Sequence, residues 1–509
     1  MKKLVAIMVI MTIVTSLFAG GIVTNTNQSA MYVRTLNRNA STELDAVYFN
    51  PAGLMSLNNG FYAHLSNQSI FQLKGIESSN PLLNNDTYEG NVKVMFFPDV
   101  YLAYKQDKFA VSAAVMPIGG GGSAEYEDGL PSFEAPVAGL VPMLTAQGVP
   151  GIQGYRNAVS FEGSSVYLGF QAGASYKVND MLSVYLGGRY VTADNSYKGY
   201  LKDVQLNIGG TWMAPGTYFY GASQMLSAGG SQLQGVIDAG AGGYTLDQLV
   251  SGGQMTSAEA AAVAAGLAQA GVSADGLTVS QIQGAFNGAA AQMTAVGDGL
   301  TAATADMEVD ATRHGYGFCG IIGLNITPNE NLNIGLRYET QTGLEMKNDT
   351  KVDGSGLFLD GAKIQSDIPA SFNAGVSYKA TSKIRLESSF NYYFDENVDW
   401  DGREDLLENC MEAGIACEYS INDAFRASLG YLYATSAATD EYRSDMDFGL
   451  NSNSIALGVG VDVNESLIVD LGFLNTFYED AGNKPLEGAY EENYYKSNYL
   501  FAVGFSYKF

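Results

Sequence analysis

The sequence predicts an all-β fold: a closed transmembrane β-barrel of fourteen antiparallel strands. Three observations carry that expectation. Apolar and polar residues alternate with a period of two along many segments. Short polar turns alternate with long connections along the chain. Only 16% of the 509 residues are charged, while Tyr (32) and Phe (24) are abundant. Yet beyond the N-terminus no apolar run reaches the roughly 18 residues of a spanning helix. Strands that meet lipid on one face only have this composition.

At the N-terminus, Lys2 and Lys3 give a positive start and residues 4–18 an apolar core, with Leu17-Phe18-Ala19 as an imperfect small-residue cleavage site. Residues 1–19 therefore read as an export signal, cut near Ala19 or Gly20. A single anchor helix is the alternative and needs a longer apolar run. Residues 20–59 have no place in a wall and are long enough to fold into a barrel lumen. The barrel itself is expected over residues 60–509.

Alternation is clearest near the C-terminus. Tyr499, Phe501, Val503, Phe505, Tyr507 and Phe509 oppose Leu500, Ala502, Gly504, Ser506 and Lys508. Likewise Leu332, Ile334, Leu336 and Tyr338 oppose Asn333, Gly335, Arg337 and Glu339, and Ile384, Leu386, Phe390 and Tyr392 oppose Arg385, Glu387, Ser389 and Asn391. A soluble sandwich alternates too, but here the polar face is charged and the apolar face is aromatic. Six tight turns lie near Asp107, Asp180, Asn329, Ser382, Asp423 and Glu465, each a hairpin signal. Seven long connections separate them, at about 73–90, 118–159, 205–312, 348–363, 395–408, 436–450 and 479–496. Six turns join twelve strands. One strand before them (61–72) and one after (497–509) give fourteen, with both chain ends on the short-turn side.

The third long connection, residues 205–312, is Ala/Gly-rich. Thr245 with Gln248, Thr256 with Glu259 and Thr278 with Gln281 are capping-box signals, so short apolar helices are expected, clearest over 258–269. A disordered insert is the alternative reading. Cys319, Cys410 and Cys417 suggest no disulfide, because the last two face opposite sides of one strand. The formal charge of −26 argues against a nucleic-acid partner. Acidic outer loops account for it.

Residues 46–54 read Ala-Val-Tyr-Phe-Asn-Pro-Ala-Gly-Leu. Asn50, Pro51 and Ala52 within them resemble the hatch motif of the FadL/TodX-type family, outer-membrane transporters of long-chain fatty acids and other hydrophobic compounds. Softer similarities are Gly20-Gly21-Ile22, Asp367-Ile368-Pro369-Ala370 before a strand, Ile334-Gly335-Leu336-Arg337-Tyr338, and the Tyr507-Lys508-Phe509 end. Together they span about residues 20–509; only the hatch motif is specific. The resemblance implies fourteen strands, an N-terminal hatch in the lumen and capture of ligand by apolar helical parts of the outer loops. It also implies exit through the wall beside a kinked third strand. The chain departs from the family's Gly/Ala-rich stretch before the motif, carrying Arg34 and Arg38 there.

Site expectations follow. The third strand (108–117) runs into Pro117, Ile118 and four glycines, so Pro117, Gly119 and Gly120 suggest a kink, or simply the start of a loop. The apolar run Val137, Leu140, Val141, Met143 and Leu144 in an outer loop must be covered by a ligand tail or by packing. By parity, Lys177, Arg189, Arg337, Arg385 and Arg426 point inward. They and the hatch arginines Arg34 and Arg38 would suit a ligand carboxylate, or pair with neighbours such as Glu339, Glu387 or Asp470. His64 and His314 show no evident nucleophile or acidic partner. No catalytic, metal-ligand or cofactor motif is visible, so no enzyme and no cofactor is expected. The expected partners are a hydrophobic small molecule and outer-membrane lipid, with a monomeric barrel. The expected function is passive uptake of long-chain fatty acids or similar compounds across the bacterial outer membrane. A surface adhesin and a diffusion porin are the rival readings.

Overall fold

The computed structural model describes residues 29–509, so the expected export signal lies outside the described residues. Two compact units form. A helical unit comprises Ala135–Ala158 and Leu201–Met307; the remaining described residues make the barrel unit.

Fourteen antiparallel strands follow one another around the sheet. They are β1 (Gly60–Ser78), β2 (Thr87–Gln106), β3 (Phe109–Tyr126), β4 (Ile152–Lys177), β5 (Leu182–Ile208), β6 (Met307–Asn329) and β7 (Leu332–Glu339, resuming at Glu345–Asp353). Then come β8 (Lys363–Gln365 and Ser371–Lys379), β9 (Ile384–Tyr393), β10 (Cys410–Ser420), β11 (Phe425–Ala434), β12 (Ser452–Asp462), β13 (Leu467–Tyr478) and β14 (Glu492–Lys508). β14 pairs back onto β1, from Tyr62 opposite Lys508 to Ser78 opposite Glu492. The sheet is thus closed end to end.

All six short turns lie where expected. The strands, however, run further at their long-connection ends. β1 continues to Ser78 rather than 72, and β3 to Tyr126 rather than Pro117. β5 has 27 residues, where about 9–11 tilted residues cross a bilayer. Alternation marks a strand only where one face meets an apolar medium, so the signal fades while the hydrogen-bonded ladder goes on.

Parity holds along the wall. Ile455, Leu457, Phe501 and Phe505 are exposed outward, whereas Ala456, Leu500, Ala502 and Ser506 are buried inward. The outer face is therefore an apolar, aromatic surface of the kind lipid covers.

The N-terminal segment fills the lumen. Ser29 caps a helix over Ala30–Thr35, accepting from Tyr32 N at 3.3 Å. Leu36 then turns in the left-handed region at φ 61°, and the chain runs on to a short helix (Ala46–Phe49) and a 3-10 turn (Pro51–Ser56). The wall makes room with glycines. Ala30 lies over Gly504, Val33 over Gly472, Arg34 over Gly458, Thr35 over Gly430, Asn37 over Gly414 and Asn39 over Gly375. A Cβ added to Gly430 would sit 2.0 Å from the Thr35 carbonyl oxygen.

Charge fixes the segment in place. Arg38 binds Asp45 and Glu43 at 2.6 Å and Glu387 of β9 at 3.3 Å. Arg34 pairs with Glu418 of β10 and Asp470 of β13, each at 2.9 Å. Asn50 donates to Ser41 O at 2.9 Å and to Asn325 Oδ1 of β6 at 2.7 Å. Ser175 donates to Pro51 O at 2.7 Å and Ser183 to Ala52 O at 2.8 Å.

In the helical unit all three capping boxes form, at Thr245, Thr256 and Thr278. The helix expected over 258–269 spans Ser257–Ala268. The last helix, Val279–Ala303, has 25 residues and is not short. The small residues that blur its amphipathic pattern still bury Ile282, Phe286 and Leu300 on one side.

Two outcomes follow. Gly430→Val should unseat the segment and leave the wall intact: ion conductance in a planar bilayer should rise well above the parent's, and unchanged conductance refutes the fit. Arg38→Met leaves Asp45 and Glu387 without their shared cation. Breaking a buried pair costs about 3–5 kcal/mol, so the urea midpoint of unfolding should fall markedly.

Candidate functional site: a lumen cavity beside an open ladder

Between β2 and β3 the wall is not continuous. Pairing runs from Gln106 opposite Phe109 to Val100 opposite Val115, stops, and resumes at Val92 opposite Ala124. Lys93–Asp99 of β2 and residues 116–123 of β3 thus make no ladder with each other. On its other side β3 stays paired to β4, with register shifts between Pro117 and Gly119 and between Gly120 and Gly122. β3 therefore does not end at Pro117; it bulges there on one side. Gly120 has φ 84° and its Cβ position would lie 2.2 Å from Ser165 O, so no other residue fits. Across from it, β2 is bulged against β1 between Gln68 and Ile70. Asn67 and Ser69 side chains bind the freed Met95 carbonyl at 3.1 and 2.9 Å. Phe96 is 83% exposed on the outside of this stretch.

Inside the same stretch lies a cavity of about 340 Å³. Its lining includes Tyr32 and Leu36 of the N-terminal segment, Phe97 of β2 and Gly121 of β3. Lys74 and Lys496 also line it and lie directly opposite one another across the β1–β14 ladder. Like charges in that position repel. Lys496 donates to the Phe448 carbonyl and stands 4.6 Å over the Phe448 ring, which stacks on Tyr494 at 4.8 Å. Among the described residues neither lysine has a carboxylate within ion-pair reach. Asp447, on the connection before β12, also lines the cavity. Burial pushes its carboxyl above the usual range, against the pull of the Tyr442 hydroxyl, which donates to it at 2.6 Å, and of the more distant Lys496 and Lys74.

The lumen arginines lie elsewhere and are engaged. Arg189 makes a double contact with Glu339 at 2.8 Å and stacks over Tyr48. Arg337 reaches the Tyr48 carbonyl and lies 3.4 Å from Glu339. Arg385 binds Glu43 and Glu418 at 3.0 Å, and Arg426 binds Asp462 at 3.0 Å and Glu43 at 3.6 Å. Arg34 and Arg38 are paired as well. Lys177 stands at the short-turn rim, paired with Asp180 at 3.0 Å. Its inward parity was right, but the strand end leaves it in the open.

Val137, Leu140 and Leu144 are buried, and Val141 and Met143 partly so, on two short helices (Pro131–Ala138 and Leu140–Ala146). They do not line the cavity of about 520 Å³ inside the helical unit, which is walled by Phe219, Leu226, Met255, Phe286, Met293 and the later Val149. The histidines do have partners, contrary to expectation. His64 Nδ1 meets Ser506 Oγ at 2.8 Å, with Asp99 at 3.7 Å, and His314 meets Asp194 at 2.5 Å. Strand register brings these together, and no local spacing signals it.

No family model and no curated protein sequence matches the chain. Among solved structures it is similar to a FadL homologue of Pseudomonas aeruginosa, with TM-score 0.58 and 12% identity, over 96% of this chain and 100% of that one. It is also similar to the toluene transporter TodX of P. putida, with TM-score 0.53 and 13% identity, over 92% and 95%. At such identities the likeness is one of architecture: the chain has the fourteen-stranded fold of the FadL/TodX-type barrels.

Proposed function

We propose that the protein carries long-chain fatty acids or similar hydrophobic compounds passively across the bacterial outer membrane. The observation that carries this reading is the open stretch of the β2–β3 ladder beside a cavity holding two lysines with, among the described residues, no carboxylate in ion-pair reach. In this reading residues 20–59 act as the hatch, with Asn50, Pro51 and Ala52 as its rigid turn against the wall. A filled lumen disfavours free diffusion of hydrophilic solutes, and so disfavours the porin reading. Ligand leaves sideways, past Phe97 and the glycines of β3, into lipid. The two similar structures, a FadL homologue and a toluene transporter, support a hydrophobic cargo. Lys74 and Lys496 favour an amphiphile with an anionic head, because a desolvated carboxylate needs cations or good donors.

Uptake of radiolabelled oleate by cells lacking their own transporter tests this. The parent protein should raise uptake well above background. Gly121→Phe, whose side chain enters open space at the cavity wall with only Gln72 at 4.0 Å, should cut it several-fold with surface expression unchanged. No uptake above background by a folded barrel overturns the reading. For the purified barrel, hydrogen bonds to charged groups contribute about 1.5–3 kcal/mol each. The Lys74→Gln, Lys496→Gln double variant should therefore bind oleate at least about tenfold more weakly and a neutral aromatic hydrocarbon unchanged.

A further inference from the structure

A carboxylate that leaves through a barrel wall meets a solvent that cannot hold its charge. It must become the neutral acid at the wall. At the inner end of the open ladder lies a group suited to that task. Asp99 is the last β2 residue before pairing with β3 resumes at Val100. It is 1% exposed; its carboxyl has a hydrogen bond with the Tyr101 side chain, but its Oδ1 has no hydrogen-bond partner. Among the described residues no lysine or arginine is within ion-pair range of it. Facing it at 3.7 Å is Nε2 of His64, also buried and also without a partner. The other ring nitrogen of His64 is held by Ser506 Oγ at 2.8 Å, and the ring stacks on Tyr101 at 5.3 Å. Three neighbouring strands thus fix the imidazole and aim its free nitrogen at the carboxyl. The other titratable groups facing the pair are Tyr101 and, from the N-terminal segment, Asp45, which is itself bound to Arg38.

A buried carboxylate beside a neutral imidazole would carry an uncompensated charge; one proton on the carboxyl removes it. We propose that Asp99 and His64 hold that proton at the sill of the wall opening and deliver it to the carboxylate of a departing amphiphile. An O–H bond forms on the ligand as the bond to the pair breaks. No electrons are exchanged, and the pair regains its proton from water. Neutral ligand then enters the bilayer. This rests on the uptake reading above, and it gives Asp99 a role distinct from that of the lysines: they hold the anion, and Asp99 discharges it.

The test compares uptake of radiolabelled oleate with that of the neutral methyl oleate by the same cells, alongside oleate binding to the purified barrel. Asp99→Asn keeps the shape and removes the exchangeable proton. Positioned proton transfer is worth orders of magnitude, so oleate uptake should fall at least about tenfold, while methyl oleate uptake and oleate binding stay within about twofold. Asp99→Glu should restore most of the oleate rate. Equal loss for both ligands, loss of oleate binding, or no loss at all overturns the proposal. A parent protein that takes up neither ligand overturns the uptake reading, and this one with it.

Discussion

Charge buried in the lumen must be matched where it stands, and that requirement governs how the N-terminal segment and the wall fit together. The segment brings Arg34, Arg38, Glu43 and Asp45 inward; the wall brings Glu387, Glu418, Asp470, Arg385 and Arg426. Neither set is satisfied alone. Burial pushes the Glu43 carboxyl up, but Arg385, then Arg38, Arg426 and Arg34, outweigh it and hold it well below the usual carboxylate range. Burial likewise opposes the charge on Arg38, yet Asp45, Glu43 and Glu387 raise it well above the ordinary guanidinium value. Such a network adds little net stability, since desolvation offsets most of the attraction. It is costly to break at any one point, so it specifies a single seat.

That seat also needs space. Each inward glycine beneath residues 30–39 lets the segment approach where a methyl group would crowd it, backbone against backbone at Gly430 and Thr35. The charges choose the register of the segment and the glycines set its depth. The arginines are spent on this fit, so the proposed uptake needs its cations at another level of the barrel. Lys74 and Lys496 stand there, on strand ends above the segment, with Leu36 and Tyr32 closing the cavity from below.

Much of this was legible in the sequence, for definite reasons. A tight turn needs particular residues at particular places, so all six were readable, and with them the strand count. Parity was readable because lipid enforces it, which put Arg189, Arg337 and Arg385 correctly inside. Capping boxes are local, so three helix starts in a low-complexity insert were readable too. What was hidden depends on register between distant strands. Lys74 and Lys496 become a pair only through the closing ladder, 422 positions apart in the numbering of their register. His64, Ser506 and Asp99 meet the same way. The glycine track was invisible because each glycine in isolation reads as a weak strand residue. The outer strand ends were missed because their side chains no longer face two different media.

An open ladder in a membrane wall is costly, because unpaired backbone groups facing lipid have no water to turn to. The sequence lowers that cost on both sides of the opening. Pro98 on β2 and Pro117 on β3 carry no N–H at all, so each removes one orphan donor from the facing edges. The bulge of β2 against β1 is matched in its turn: Asn67 and Ser69 take up the Met95 carbonyl, and Phe97 N donates to Asn67 Oδ1 at 3.0 Å. On the far edge β3 keeps its bonds to β4 through two bulges, which the left-handed Gly120 and Gly122 permit. The two prolines that interrupt the β2–β3 ladder thus also lower the cost of its interruption. A chance irregularity would leave its donors and acceptors unmatched. Here prolines, glycines and side-chain hydrogen-bond partners coincide on one stretch beside the cavity, which is what the proposed sideways exit requires.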